Sequence, residues 1–511
     1  MTLLSPNPFS GRPVAIIGAG PAGLAAARWL KAHGARPVIH EAADDLGGQW
    51  NPRNPGSATW PGMRTNTSRI MTAFSDLDHP AGTPVFPGRD QMHRYLRAYA
   101  ERFGLVDCIR FGSRVEHLAP NGRDWTLRTI RDGKTTVETY PQVAVANGRH
   151  NLPDVPQILG METFAGRFGA RHSAEYAGAA AFRGARVVVA GCSISALEIA
   201  TELANSGAAE VTVAMRKQRY VIPKLMAGVP TDNVMFTRAA ALAGEVLPPE
   251  AQAEGLKAVV LRAAGNPAQY GAAAPDDNIF AAGLTQSQGF LAAVAEGRIR
   301  TTGWIERIVG QTLHFADGTS AEADAILFGT GFRHDLGWLA PQVAQAIRLG
   351  EPTLDLFAYT VHPDFAGLAF LGQYDLIGPY FPVLELQARL VAGLFSGRLP
   401  LPAPLVQREI MDDLRRKPLP PAMPMNVAAI HFARLIGAEP DPSRWPALER
   451  ALMFGPLTPS SFRLCGLDTD PDAPHRLARD AAVFGAIADP DYRPDEQGLM
   501  QMLKAQGCRA A

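Results

Sequence analysis

Residues 14–34, VAIIGAGPAGLAAARWLKAHG, and the PVIHE that follows at 37–41 decide the fold of this 511-residue chain. The apolar run at 14–17 predicts a strand, and the glycine-rich turn after it opens an alanine-rich segment with helical spacing that ends near Gly34. The second apolar run predicts another strand, which ends at Glu41. A strand, a glycine loop, a helix and a strand in this order predict a βαβ unit of the Rossmann type.

The glycines of this loop have the G-x-G-x-x-G spacing of a dinucleotide site. Gly18 permits the tight turn, Gly20 lets the backbone approach a pyrophosphate, and Gly23 allows close packing of helix on strand. The pyrophosphate then binds at the helix N-terminus, where free N–H groups and the positive end of the dipole stabilise it. Glu41 can accept from both ribose hydroxyls, which selects a ribose without a 2′-phosphate. We therefore predict an FAD or NAD site.

The same pattern recurs at residues 185–217, ARVVVAGCSISALEIATELANSGAAEVTVAMRK. Each copy is followed by a hairpin with an Asp-Gly turn, at 132–133 and at 317–318, and then by an apolar strand that ends in glycine. We predict two diverged copies of one plan, with the second inserted into the first. The strand at Ala325 to Phe328 is then predicted to return to the first sheet.

The predicted fold class is α/β, with two Rossmann-like dinucleotide-binding domains, the second inserted into the first, and a helical, proline-rich C-terminal extension. The predicted limits are 1–152 and 323–415 for the two parts of the first domain, 153–322 for the second domain and 416–511 for the extension. The pattern of the extension indicates short helices and turns and predicts no function for them.

The second glycine loop departs from the first in a way that predicts a different ligand. Gly191 keeps the first position, but Ser193 and Ala196 replace the second and third glycines, and both are small enough for a nucleotide to approach. No acid ends the following strand. Arg216, Lys217 and Arg219 stand there instead, where the 2′-phosphate of NADPH would lie. The missing acid favours NADPH over NADH, although cations after a strand are often only solvated.

Charge and cysteine content exclude several classes of function. Lys+Arg and Asp+Glu number 49 each, which argues against nucleic-acid binding and against a polybasic membrane surface. The cysteines, Cys108, Cys192, Cys465 and Cys508, are far apart, so neither a disulfide scaffold nor a zinc site is expected. The histidines are scattered, and we predict no metal site. The sequence shows neither a secretory signal nor a long apolar run, and we predict a soluble, cytoplasmic protein.

One site that ends in an acid and one that is rimmed by cations imply hydride transfer from NADPH to a bound flavin. A disulfide reductase of this architecture needs a close pair of cysteines, and the sequence has none. Molecular oxygen is therefore the leading electron acceptor.

Five further segments follow the first glycine loop in a fixed order. They are EAADDLGGQW at 41–50, RTNTSRIMTAFSD at 64–76, FAGRFGARHSAEY at 164–176, ILFGTGF at 326–332 and PVLELQARL at 382–390. Together they resemble the flavin-containing monooxygenases of the dimethylaniline monooxygenase type, from about Pro13 to about Asp413. The third segment is similar to the family's F-x-G-x-x-x-H-x-x-x-Y fingerprint, with two more residues between Gly166 and His172.

The resemblance implies roles for particular residues. FAD contacts are implied for Gly18, Ala19, Gly20, Pro21, Ala22, Glu41, Gln49, Trp50, Asn66 and Thr67, with Gly48 in the clamp beside the tryptophan. NADP contacts are implied for Thr65, Asn66, Ser195, Ala196, Leu197 and Glu198. Asn66 is the implied catalytic residue: its amide orients bound NADP⁺ and steadies the peroxide adduct, because an amide donates and accepts without changing charge. His172 is predicted to be structural.

The implied activity is that of an FAD-dependent, NADPH-consuming monooxygenase. It inserts one oxygen atom of O₂ into a soft nucleophile, in N- or S-oxygenation, through a C(4a)-hydroperoxyflavin. A Baeyer–Villiger monooxygenase that acts on ketones is an alternative, although that family's fingerprint ends in Trp where this chain has Tyr176. An NADPH oxidase that releases hydrogen peroxide and a non-catalytic flavin sensor are further alternatives. The expected partners are a small-molecule substrate and O₂, with no nucleic acid and no membrane, and the family implies a homodimer.

Overall fold

The computed structural model describes residues 12–416, 422–487, 489 and 491–506. Cys508 and the prolines at 418, 420 and 421 lie outside the described residues. In chain order the helices are α1 (Pro21–Ala32), α2 (Arg89–Arg102), α3 (Ile194–Asn205), α4 (Thr231–Met235), α5 (Arg238–Val246), α6 (Pro249–Ala264), α7 (Ile279–Ala282), α8 (Phe290–Ala295), α9 (Pro341–Ala346), α10 (Phe381–Phe395), α11 (Pro404–Arg416), α12 (Met425–Leu435), α13 (Glu449–Phe454), α14 (Ala473–Ala482) and α15 (Pro494–Ala505).

The strands that precede the second glycine loop are β1 (Pro13–Ile17), β2 (Arg36–His40), β3 (Ile109–Arg110), β4 (Arg114–Asn121), β5 (Asp124–Arg131), β6 (Lys134–Tyr140), β7 (Gln142–Val145), β8 (Leu152–Pro153), β9 (Gly169–His172) and β10 (Arg186–Ala190). Those that follow it are β11 (Glu210–Ala214), β12 (Tyr220–Ile222), β13 (Leu225–Met226), β14 (Val229–Pro230), β15 (Leu284–Gln286), β16 (Arg300–Thr302), β17 (Ile305–Val309), β18 (Thr312–Phe315), β19 (Ser320–Glu322), β20 (Ala325–Phe328), β21 (Phe332–Arg333), β22 (Leu368–Phe370), β23 (Leu376–Ile377) and β24 (Met423–Pro424).

Two parallel five-stranded sheets carry the predicted dinucleotide units. The first has the order β22-β7-β1-β2-β3, and the second has the order β9-β20-β10-β11-β16. In each, the strand before the glycine loop is central, and the strand after the helix pairs with it in parallel. The central strands are apolar throughout their buried length because both faces of a parallel sheet are covered. The predicted fold class and the repetition of one plan are confirmed.

One prediction about the topology is wrong. The strand Ala325–Phe328 does not return to the first sheet, because it lies between β10 and β9 in the second. Its Val187↔Ala325 register makes it the counterpart of β7, which lies beside β1 in the first sheet. The strand that returns to the first sheet is Leu368–Phe370, which pairs with β7. The second unit therefore extends beyond the predicted limit at 322, and the other domain limits stay predictions.

The insertion itself is visible at the crossing between the two units. The chain leaves the first unit through β8 and comes back through β21, and these two short strands pair in antiparallel fashion with Phe332 opposite Pro153. Each unit also carries a three-stranded antiparallel sheet, β4-β5-β6 in the first and β17-β18-β19 in the second. Their hairpins close at the two predicted Asp-Gly turns.

Helices α10 and α12 belong to the core of the first unit, whereas α13, α14 and α15 pack in smaller separate clusters. Helix α10 is buried along almost its whole length, and α12 buries Met425, Ile430 and Phe432 in the same cluster as α1. Among the described residues, no helix combines the length and the apolar character that a membrane span needs.

Candidate active site

The first glycine loop brings helix α1 against the end of strand β1 by backbone contact. Gly18 has a φ of +100°, and a Cβ on it would lie 2.7 Å from the carbonyl oxygen of Ala146. A Cβ on Gly23 would lie 1.9 Å from the carbonyl oxygen of Gly18, which no side chain can occupy. The helix axis is thereby aimed so that its first turn faces the carboxyl edge of the sheet, as a bound pyrophosphate requires.

The loop also fits the rest of a dinucleotide. Helix α1 begins after Gly20 with no side-chain cap, so no side chain of the loop occupies the anion position at its N-terminus. Glu41 accepts from the N–H of Ala19 at 2.6 Å and from that of Ala43 at 2.8 Å. Burial raises the pKa of this carboxyl group above its ordinary value. The acid therefore lies beside the glycine loop, where it fits the ribose of FAD.

The segment that was matched to the flavin clamp lies over this loop. The position of a Cβ on Gly20 would be 3.6 Å from the Cα of Gly48, so the two backbones approach each other closely. Gln49 is held by its side chain, which accepts from the N–H of Ala58 at 2.9 Å and donates to the carbonyl oxygen of His150 at 3.0 Å. Trp50 is half-buried and packs on the first core.

Asn66 lies on a loop whose neighbouring residues are tightly bonded. Thr65 donates its N–H to the carbonyl oxygen of Pro87 at 2.9 Å and its hydroxyl to the carbonyl oxygen of Thr67 at 2.8 Å. The hydroxyls of Thr67 and Thr72 are 2.7 Å apart. Asn66 is half-buried between these anchored residues. The loop therefore presents the Asn66 amide between two residues whose hydroxyl groups are held by hydrogen bonds.

The second glycine loop caps its own helix. Gly191 follows strand β10, and the hydroxyl of Ser193 donates to the carbonyl oxygen of Gly329 at 2.9 Å and accepts from the N–H of Ala196 at 3.3 Å. The side chains of Ala196 and Leu197 are fully buried in the second core. Any nucleotide contact at these two positions would therefore be made through the backbone.

The outward side of helix α3 is polar. Ser195 and Glu198 are half-buried, and the carboxylate of Glu198 accepts from the ammonium group of the buried Lys224 at 2.8 Å. Lys224 belongs to the segment that follows strand β12, so this ion pair ties α3 to that segment.

Arg216 and Lys217, two of the three predicted cations after β11, differ in their surroundings. The guanidinium carbon of Arg216 lies 4.7 Å from the centroid of the Trp304 ring, which orients a charged group at the rim of the second loop. The ammonium group of Lys217 donates to the carbonyl oxygen of Ala281. Both side chains are exposed. Both are charged and accessible, and Arg216 is the one whose planar group is held against an aromatic ring.

Two contacts between the units were missed at the level of sequence. The indole N–H of Trp60 donates to the carboxylate of Glu202 on α3 at 2.7 Å, and the Trp60 ring meets the edge of Tyr176 at 5.5 Å. The N–H of Ser68 donates to the carboxylate of Asp232 at 2.7 Å. In the chain, Trp60 lies six residues before Asn66 and Ser68 lies two residues after it. Of the residues in these two contacts, only Tyr176 was singled out from the sequence, as the last residue of the fingerprint.

His172 has a structural role, as its motif predicted. One ring nitrogen lies 2.8 Å from the carbonyl oxygen of Gly331, and the other accepts from the N–H of Ala174. Burial lowers the pKa of this histidine. Nowhere in the described part of the chain do three or more His, Cys, Asp or Glu side chains form a group that could hold a metal ion.

Comparison with known proteins gives a family match over most of the chain. The profile of the family described as flavin-binding monooxygenase-like matches residues 11–475. A curated relative, dimethylaniline monooxygenase [N-oxide-forming] 2 of Cavia porcellus, is 28% identical over 487 residues, and the alignment covers 89% of each chain.

Solved structures show the same fold. The S-allyl-L-cysteine S-oxygenase of Allium sativum is 20% identical, with a TM-score of 0.61 and coverage of 97% of this chain and 98% of that one. Cyclohexanone monooxygenase from Rhodococcus sp. Phi1, bound to NADP⁺, is 17% identical, with a TM-score of 0.62 and coverage of 84% and 97%. At these identities the likeness shows the fold alone.

The contact between Gly23 and Gly18 predicts the effect of a single added methyl group. Gly23→Ala places a Cβ against backbone that cannot move aside, so we expect loss of most bound FAD and destabilisation of at least about 2 kcal/mol. The matched control is Gly255→Ala, in the interior of α6, where a Cβ meets nothing within 4 Å. That variant should keep its FAD and gain up to about 1 kcal/mol. The ratio of FAD absorbance to protein measures the FAD content of each variant, and the midpoint of thermal unfolding measures its stability. Equal FAD content and equal stability in the two variants would contradict the packing argument.

Proposed function

Because this chain belongs to the flavin-binding monooxygenase-like family, we propose that it catalyses the transfer of one oxygen atom from O₂ to a soft nucleophile, an amine nitrogen or a thioether sulfur. It is a flavin-dependent monooxygenase and an NADPH-dependent oxidoreductase, with FAD and NADPH as cofactors. The preference for nitrogen or sulfur over a ketone, and the residues that carry the reaction, are the proposed part.

The observation that carries this proposal is that Asn66 lies between two residues with neutral hydroxyl groups. Oxygen transfer to a ketone requires an anionic oxidant, and an anion needs a cation beside it. The neighbours of Asn66 are the hydroxyl residues Thr65 and Thr67. The two nearest cations along the chain are Arg64, whose side chain is exposed, and Arg69, whose guanidinium carbon lies 4.7 Å from the centroid of the Phe484 ring. An uncharged amide in this setting suits an electrophilic oxidant and a neutral nucleophile. The N-oxide-forming activity in the name of the Cavia porcellus relative supports the same choice.

The residues of the chain have separable tasks in this scheme. When bound, FAD and NADPH supply the hydride transfer and the activation of O₂. The N-terminus of α1 holds the pyrophosphate and Glu41 holds the ribose at the first loop, while Arg216 holds the 2′-phosphate at the second. Asn66 lies on the loop that contacts both units, and its amide donates and accepts to orient the nicotinamide amide. The clamp around Gln49 excludes water from the reacting centre.

No general base or acid is assigned to the substrate. A tertiary amine or a thioether is already a nucleophile at neutral pH, so the protein has only to position it and to keep water away. The proposed reaction therefore needs no titrating side chain at the point of oxygen transfer.

A panel of substrates tests the proposed reaction. We expect a tertiary amine or a thioether to be converted to its N-oxide or S-oxide with one product for each NADPH consumed, while a cyclic ketone remains unchanged. Product chromatography combined with NADPH absorbance and a peroxide assay measures the ratio. Conversion of the ketone to a lactone would favour the Baeyer–Villiger alternative. Peroxide equal to NADPH consumed, for every compound, would identify an oxidase instead.

The amide of Asn66 is expected to be required for oxygen transfer but not for flavin binding. Asn66→Ser keeps a small polar side chain but loses the amide, so product formation should fall roughly 100-fold while peroxide release rises. FAD content should remain that of the unaltered protein. The control is Asn121→Ser, an exposed asparagine in the β4-β5 hairpin. Undiminished product from Asn66→Ser would remove this residue from its proposed role.

Arg216 is expected to select NADPH over NADH. Arg216→Ala removes a charged partner of the 2′-phosphate, so kcat/KM for NADPH should fall roughly 10- to 100-fold. NADH lacks that phosphate and serves as the internal control, and its kcat/KM should change less than about twofold. Steady-state kinetics with both nucleotides give the comparison. Equal losses with the two nucleotides would show that Arg216 acts on the fold rather than on the phosphate.

A further inference from the structure

A buried carboxylate meets the Asn66 loop from the second unit. Asp232 is 2% exposed, and one of its oxygens accepts from the N–H of Ser68 at 2.7 Å and from the Ser68 hydroxyl at 3.0 Å. The same hydroxyl lies 3.0 Å from the side-chain oxygen of Asn233, which is fully buried. Ser68 is 164 residues from Asp232 and two residues from Asn66.

The burial of the Asp232 carboxylate lowers the stability of the fold. Burial raises the pKa of Asp232 to about 6, and the groups that oppose the shift are neutral donors from Ser68 and from the backbone of residues 232 and 233. Within the described residues, the second oxygen of Asp232 and the amide nitrogen of Asn233 have no hydrogen-bond partner. If these residues served only to hold the two units together, apolar side chains at positions 232 and 233 would give a more stable interface. The role of Asp232 and Asn233 is therefore to fix the geometry of the contact with Ser68 rather than to stabilise the interface.

The contact connects the Asn66 loop to the second nucleotide loop. Asp232 belongs to α4, whose first residue, Thr231, donates its N–H to the carbonyl oxygen of Lys224 at 2.9 Å. The ammonium group of Lys224 pairs with Glu198 in the second turn of α3. These hydrogen bonds, together with the chain between them, connect Ser68 through residues 224–232 to the helix that follows the second glycine loop.

We propose that Asp232 is a positioning residue, which fixes the Asn66 loop relative to the bound nicotinamide nucleotide. It does so through Ser68 and does not touch the reacting atoms. This inference rests on the proposed role of Asn66. When the contact is weakened, the loop samples other positions, NADPH is still oxidised, and the oxygen leaves as peroxide instead of reaching the substrate.

Hydrogen exchange in the FAD-bound enzyme tests the contact without reference to turnover. Asp232→Asn keeps the size of the side chain but removes the charge, which weakens the bond from the Ser68 N–H. We expect exchange of peptides that contain Ser68 to become about tenfold faster, because opening of the loop becomes easier. The matched control is Asp324→Asn, since Asp324 also accepts a distant backbone N–H, that of Arg186 at 2.9 Å, away from the loop. It should leave the Ser68 peptide unchanged.

The ratio of product formed to NADPH consumed tests whether a weakened contact diverts oxygen to peroxide. Asp232→Asn should keep its FAD and reduce it with NADPH within twofold of the unaltered rate, while the fraction of NADPH that ends as peroxide rises about tenfold. Ser68→Ala retains the backbone N–H and should give a smaller rise. In the double variant the rise should not exceed that of Asp232→Asn, because both changes act through one contact. A purely structural defect would instead lower FAD content and reduction rate together.

The outcomes separate this inference from the proposed function. Unchanged exchange at Ser68 and unchanged peroxide release in Asp232→Asn overturn the positioning role. If the unaltered enzyme forms only peroxide with every substrate, the proposed oxygenation fails, and the exchange comparison decides alone whether Asp232 fixes the loop. If Asp232→Asn does not retain FAD, Ser68→Ala takes its place: faster exchange with more peroxide supports the proposal, and neither change refutes it.

Discussion

The architecture depends on the approach of one backbone to another at the end of a parallel strand. In the first unit, helix α1 starts so close to β1 that the Cα of Gly23 faces the carbonyl oxygen of Gly18 with no room for a methyl group. In the second unit, Gly329 meets Ala196 of α3 in the same tight manner, with 2.6 Å between the position of a Cβ on Gly329 and the Cβ of Ala196. This approach points a helix N-terminus at the carboxyl edge of each sheet, where two nucleotides can bind.

Two nucleotide sites are useful for hydride transfer only if the units hold a fixed relative orientation. Apolar contacts are tolerant of sliding, whereas hydrogen bonds to charged groups have short distances and preferred directions. The contacts that cross between the units on the Asn66 segment are of the second kind: Trp60 with Glu202 on one side and Ser68 with Asp232 on the other. The segment between them is thereby held at two points, and the amide that is proposed to act at the flavin lies between those points.

Helix α10 and the C-terminal region also contact the same segment. The N–H of Ser75 donates to the buried carboxylate of Glu385 on α10 at 2.7 Å, and the guanidinium group of Arg463 donates to the Ser75 hydroxyl. Burial raises the pKa of Glu385, and the positive charge of Arg463 opposes that shift. The region that the sequence assigned to an extension is thus part of the support of the Asn66 segment, which agrees with a family match that continues to residue 475.

The sequence by itself determined the local units, because the signals for strands, turns and helices come from residues that are close in the chain. Short patterns of this kind indicated the glycine loops, Glu41, the cations at 216 and 217, and the Asp-Gly hairpins. Sheet membership was decided only by the tertiary structure. Ala325–Phe328 and Leu368–Phe370 are both short, apolar and fully buried, so no local pattern could tell which of them joins β7 and which joins β10. The Ser68–Asp232 contact was hidden for the same reason: its partners stand far apart in the chain, and a buried carboxylate has no sequence signature until the fold removes it from water.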